Sequence, residues 1–206
     1  MTIVDTVGDV GRYSSLAIGA DGFPVISYSD TTNNQWKVVK CNDAACTGAG
    51  ETITTIGLGT GVGSSLTIGV DGNPVIALQT GSTSTLGVAK CNDPACAGGD
   101  EQFTTLTSAA DSGNSPSIVI GTDGNPRISY IDNNLSLARL VTCNDPACAG
   151  LDEAFFTLGA GSAFLTGTSI TLGRDANPVV TYQDGLGFDM TVAKVTHTSW
   201  TRYGSE

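Results

Sequence analysis

Four near-copies of one short pattern constrain this chain more than anything else in it. Ser15-Leu16-Ala17-Ile18-Gly19-Ala20-Asp21-Gly22-Phe23-Pro24 is followed by Ser65-Leu66-Thr67-Ile68-Gly69-Val70-Asp71-Gly72-Asn73-Pro74, then by Ser117-Ile118-Val119-Ile120-Gly121-Thr122-Asp123-Gly124-Asn125-Pro126, and last by Ser169-Ile170-Thr171-Leu172-Gly173-Arg174-Asp175-Ala176-Asn177-Pro178. The turn aspartate falls at 21, 71, 123 and 175, so the spacings are 50, 52 and 52. A period of that length marks one supersecondary unit that buries its faces by stacking on its neighbours.

Each unit reads as four short strands. In the first, Leu16 and Ile18 point one way and Ser15, Ala17 and Gly19 the other, the period-two signal of a strand. Asp-Gly-x-Pro then turns the chain, because glycine accepts positive φ and proline fixes φ at a strand start. The second strand sets Ile26, Tyr28 and Asp30 on one face. The third carries Trp36/Val38 and its counterparts Leu86/Val88, Ala138/Leu140 and Met190/Val192. The fourth carries Ile53/Ile56, Phe103/Leu106, Phe155/Leu158 and Trp200/Tyr203, and its apolar spacing of three predicts a bulge. One face of each sheet is bulky and the other small, and neither is charged. Stacking bulky on small around an axis buries both. The expected fold is an all-β β-propeller of four tandem four-stranded blades in one domain, residues 1–206, with units at 9–56, 57–106, 107–158 and 159–206. Ile3-Val4-Asp5-Thr6-Val7 repeats the fourth-strand pattern once more, so residues 1–8 read as a surplus outer strand.

All six cysteines fall at one place in the repeat, between the third and fourth strands. They read Cys41-Asn42-Asp43-Ala44-Ala45-Cys46, Cys91-Asn92-Asp93-Pro94-Ala95-Cys96 and Cys143-Asn144-Asp145-Pro146-Ala147-Cys148. The repeat selects pairing of each cysteine with its partner five residues on. The rival is zinc, but a structural zinc takes four ligands, and the single histidine, His197, cannot serve three sites. Disulfides point to an oxidising compartment. In the fourth unit Val195 and Thr196-His197-Thr198-Ser199 replace this loop.

The repeat S-L-x-I-G-x-D-G-x-P-V-I-S-Y with its C-N-D-x-A-C loop resembles the tandem propeller repeats of uncharacterised bacterial secreted or surface proteins, over residues 14–203. The resemblance implies a propeller and an extracellular or cell-surface setting, and is silent on activity.

Twenty acidic against nine basic residues leave a net charge of −11. Phosphate neutralisation needs clustered Lys and Arg, so nucleic acid is not an expected partner. No apolar run reaches the length of a membrane span. The first residues lack the basic and apolar regions of a signal peptide, so a trimmed chain or another export route is expected. A Ser-His-Asp arrangement would have to use His197 in the divergent loop. Asp30, Asp132 and Asp184 recur per unit, which fits turn capping better than a unique catalytic pair. No catalytic residue, metal or cofactor is therefore expected. The expected function is that of a non-enzymatic structural or interaction protein. It would self-associate into a ring or filament by exchange of the strand holding Ile3, Val4, Thr6 and Val7. The alternative is a carbohydrate-binding propeller. Its sugar pockets would be formed by Tyr28 with Asp30, Tyr130 with Asp132, and Tyr182 with Asp184, although tyrosines on the face of Ile26 equally suit the core.

Overall fold

The computed structural model describes residues 1–47, 50–59, 61–81, 83–150, 152–160 and 167–196. Among them there are fifteen strands and no helix. The first sheet holds β1 (Val10–Ile18), β2 (Pro24–Asp30), β3 (Gln35–Lys40) and β4 (Thr52–Leu58). The second holds β5 (Ser64–Ile68), β6 (Pro74–Thr80), β7 (Thr85–Lys90) and β8 (Gln102–Thr105). The third holds β9 (Asn114–Ile120), β10 (Pro126–Asp132), β11 (Leu137–Thr142) and β12 (Ala154–Ala160). The fourth holds β13 (Thr168–Leu172), β14 (Pro178–Gln183) and β15 (Met190–Lys194). Its expected outer strand around Trp200 and Tyr203 lies outside the described residues, as does His197.

Every sheet is an antiparallel meander in chain order. The Asp-Gly turn joins the first two strands as the sequence predicts. The Gly19 N–H donates to the Phe23 carbonyl (2.8 Å) and Asp21 Oδ1 accepts from the Phe23 N–H (3.1 Å). The predicted outer-strand bulge appears as a register shift at Trp36/Lys37 and again at Ala138/Arg139.

The sheets pack face to face in sequence, each forward face against the back face of the next. Val25, Trp36, Val38 and Ile56 of the first sheet meet Leu66, Ile76 and Leu78 of the second. Val75, Leu86 and Val88 of the second meet Ile118, Ile128 and Tyr130 of the third. Ala138 and Leu140 of the third meet Ile170, Val180 and Tyr182 of the fourth. Burying a Leu or Ile contributes about 1.5–3 kcal/mol, so these three layers hold the array together. Polar stitches repeat with them. The oxygens of Ser15, Ser65 and Ser117 accept the N–H groups of Leu66 (2.9 Å), Ile118 (3.1 Å) and Ile170 (3.2 Å) in the following sheet.

The expected strand over Ile3–Val7 is corrected. Residues 1–6 form no regular structure, and the first strand begins at Val10. Asp5 turns onto the back face of the first sheet, where its Oδ2 accepts from the Tyr28 hydroxyl (2.8 Å) and lies 3.4 Å from Lys37 Nζ. A buried phenol and an ammonium draw the carboxylate over the face, so this segment joins no strand edge. On the fourth sheet the equivalent hydroxyl, that of Tyr182, instead donates to the Leu158 carbonyl of the third sheet (3.2 Å).

Candidate functional site

The two ends of each sheet bring chemistry-bearing side chains together, and they differ. At the end of the second strand stand the tyrosines and aspartates expected to form sugar pockets. Tyr130 and Tyr182 are buried between sheets and Tyr28 is buried under the N-terminal segment on the back of the first sheet, so none presents a ring face to solvent. Burial, then the Asp5 hydrogen bond, pushes the Tyr28 phenol up, and burial pushes Tyr130 up to about 12. The aspartates are bound to their own turns. Asp30 accepts from the Asn33 backbone (3.0 Å) and side chain (2.8 Å) and pairs with Lys37 (2.7 Å). Asn33 and then Lys37 hold its carboxyl at about 2. Asp132 accepts from the Leu135 N–H (3.1 Å) and lies 3.4 Å from Arg139. Asp184 takes the N–H groups of Gly187 (2.7 Å) and Leu186 (3.1 Å). The second unit places Leu78 and Thr80 at these positions.

At the opposite end lie the cysteine loops. The disulfides Cys41–Cys46, Cys91–Cys96 and Cys143–Cys148 form, with Cα–Cα distances of 5.0, 4.9 and 4.9 Å. The sulfurs are bonded to each other and offer no thiolate. Asp93 holds its loop by accepting from Ala95 (2.7 Å) and Ala97 (3.0 Å), and Asp145 does the same with Ala147 and Ala149. A glutamate five residues past each loop closes it from outside. Glu51, Glu101 and Glu153 accept the N–H of Asn42 (2.6 Å), Asn92 (2.8 Å) and Asn144 (2.8 Å). A cation then bridges the loop to the Asp-Gly turn. Lys40 reaches Asp21 (2.7 Å) and the Cys41 carbonyl (2.8 Å), and Lys90 reaches Asp71 (2.6 Å) and the Cys91 carbonyl (2.6 Å). In the third unit Arg127 takes this place, reaching Asp123 (2.6 Å) and the Cys143 carbonyl (3.2 Å).

Beside the second loop these groups line an open cleft of about 520 Å³. Asp71, Asn73, Lys90, Asn92, Asp100, Glu101 and Gln102 face it, with Cys91 at its edge. Its two inner carboxylates are pushed apart. Burial raises Glu101, and the charges of Asp93 and Asp100 add to this against the Asn92 N–H. Burial also acts on Asp71, but the Lys90 ammonium and the Asn73 N–H outweigh it together and lower the carboxyl. The sequence reading passed over these glutamates and cations. Their signal was present, since 51, 101 and 153 keep the 50 and 52 spacings of the repeat.

No protein-family model matches the chain, and no characterised protein matches it in sequence. Solved structures do match in fold. An α-L-arabinofuranosidase from Lactobacillus brevis superposes with a TM-score of 0.50 at 12% identity, over 90% of this chain and 72% of that one. A GH43 protein from Bacillus licheniformis gives 0.51 at 12%, over 90% of this chain and 41% of that one. A bifunctional GH43-CE protein from Bacteroides eggerthii gives 0.53 at 10%, over 91% and 25%. The architecture is similar to that of β-propeller glycosidases. The chain spans a quarter and about two fifths of the two GH43 proteins. At this identity the likeness is one of fold.

That likeness corrects the expectation of a non-enzymatic chain. Glycosidases are built on a similar architecture, so the missing Ser-His-Asp set and the turn-capping role of Asp30, Asp132 and Asp184 do not make the chain non-enzymatic. Glycoside hydrolysis most often uses a pair of Asp or Glu side chains and needs no histidine.

Proposed function

We propose that the chain is a carbohydrate-binding propeller protein and that it takes sugar in the cleft beside the second cysteine loop. The observation carrying this reading is the lining of that cleft. Carboxylates, amides and one ammonium converge on an open hollow, and sugar hydroxyls require that mixture of acceptors and donors. The glycosidase-like fold supports the same reading. The four sheets, β1–β4, β5–β8, β9–β12 and β13–β15, are blades of a single domain related to the repeats of secreted and surface proteins. The three loop disulfides support a place outside the cytoplasm.

The test is calorimetric titration with arabinose-bearing oligosaccharides, following a glycan array. Asp100 and Gln102 line the cleft and are exposed, so replacing both by alanine leaves the core untouched. The double variant should lose at least about tenfold in affinity, the loss of one to two hydrogen bonds, with an unchanged circular dichroism spectrum. An array without a hit, or a hit indifferent to both replacements, sinks the proposal. Reducing-sugar release in the same samples reports cleavage. Glu101, raised beside an ionised Asp71, is the carboxyl suited to carry the proton, so any release should vanish in Glu101→Gln.

A further inference from the structure

The array of sheets is open. The first packs on the second, the second on the third and the third on the fourth, and no packed layer joins the first to the fourth among the described residues. Two apolar faces are left over. On the back of the first sheet, Leu16 is 58% exposed and Ile18 55%, whereas the counterparts of Leu16 in the later sheets, Leu66, Ile118 and Ile170, are buried by the sheet before them. On the front of the fourth sheet, Met190 is 79% exposed and Val192 58%. Their counterparts Trp36/Val38, Leu86/Val88 and Ala138/Leu140 are fully buried by the sheet after them.

We infer that the front of the fourth sheet docks on the back of the first sheet of a second copy of this chain, head to tail. Three interfaces inside the chain show what each surface accepts. A front face takes a back face, never another front face. The exposed front belongs to the same repeat as the three buried fronts, and the exposed back to the same repeat as the three buried backs. The polar stitch extends across the new contact as well. Ser15, Ser65 and Ser117 each accept an N–H from the following sheet. Ser169 is the next in that series and stands exposed. Its partner in the series is the N–H of Leu16 in the second copy. The N-terminal segment covers only the Tyr28 end of this back face, where Asp5 Oδ2 accepts from the Tyr28 hydroxyl (2.8 Å), and leaves Leu16 and Ile18 exposed to the incoming sheet. A head-to-tail contact is heterologous and gives a ring or an open chain of copies.

Light scattering coupled to size exclusion tests this with four samples. The unaltered chain should have the mass of two or more copies, rising with concentration if the chain of copies is open. Leu16→Asp and Met190→Asp should each run as single chains. Both positions are exposed in the single chain, so folding should persist, read by circular dichroism. Mixed together, the two variants should form a one-to-one complex, because each retains the face the other lacks. A single-chain mass for the unaltered protein overturns the inference. So does a Met190→Asp variant that still associates, which would mean back pairing with back, and so does a mixture that stays monomeric. Glycan binding is located at the cysteine-loop cleft and is read separately, so either proposal can fail alone.

Discussion

At the residue scale the most informative position is Arg127. In the first two units the cation bridging the turn aspartate to the loop carbonyl sits on the third strand, as Lys40 and Lys90, opposite Val25 and Val75 on the second. In the third unit the arrangement is reversed. Arg127 is on the second strand and Thr142 opposite it on the third. One charge has moved across a cross-strand pair and still finds the same two acceptors, so the contact rather than the position is what the fold requires. Arg127→Val should cost about 1–3 kcal/mol, the penalty for taking the guanidinium from the Cys143 carbonyl and from Asp123 Oδ2, whose Oδ1 keeps the Asn125 N–H. Adding Thr142→Lys rebuilds the arrangement of the first two units and should recover most of that loss. Urea unfolding of the single and double variants reads both numbers, and a double variant no more stable than the single one would show that the bridge is not what the cation contributes.

At the scale of the element, the Asp-Gly turn is the part most closely written in the sequence. Gly22, Gly72 and Gly124 take φ values of +84°, +83° and +84°, and the fourth unit forces Ala176 to +62°. An L-residue with a Cβ is disfavoured there. Ala176→Gly should therefore stabilise the fourth sheet by about 1 kcal/mol, a rise of roughly 2–4 °C in Tm, measurable by differential scanning calorimetry. A fall in Tm would mean that the entropy of the freed chain outweighs the relieved strain. Strands and turns were legible because alternation and turn chemistry are local. The cysteine pairing was legible because the repeat supplied three copies of one answer. The segment Ile3–Val7 was not, since its Val4/Val7 spacing of three equals that of a true outer strand. What decides its course is the buried Tyr28 hydroxyl and Lys37, which no local pattern reveals. The tyrosines shared the parity of Ile26, and that parity put Tyr130 and Tyr182 between sheets and Tyr28 under the N-terminal segment. The cleft at the cysteine loops draws on residues 71, 73, 90, 92 and 100–102, from two connections of one unit and the strand ends beside them, and becomes visible only when the sheet brings them together.

At the scale of the whole molecule, acid and base act on different parts of the array. Burial raises Glu153 to about 7, even though the Asn144 N–H favours its ionised form. A carboxyl raised on folding stabilises below its unfolded value and loses that contribution as pH rises through the folded one. Asn33 and Lys37 depress Asp30, and Lys194 and Asn177 depress Asp175. Those groups stabilise above the unfolded value and lose their contribution as pH falls. Stability should therefore decline between about pH 4.5 and 7 by on the order of 1–3 kcal/mol from Glu153, and decline again in strong acid. Glu153→Gln should flatten the first decline and leave the second, read from urea midpoints across pH. An unchanged slope in the variant would place the titrating group elsewhere. The two cysteines of each sulfur bridge stand five residues apart within one unit, and the packed layers join sheets that are neighbours in sequence. No covalent closure therefore has to wait for a distant part of the chain. Every thiol meets its native partner first, by simple nearness, so oxidation can follow the polypeptide unit by unit as it appears, and a stretch already closed never has to be reopened for the next.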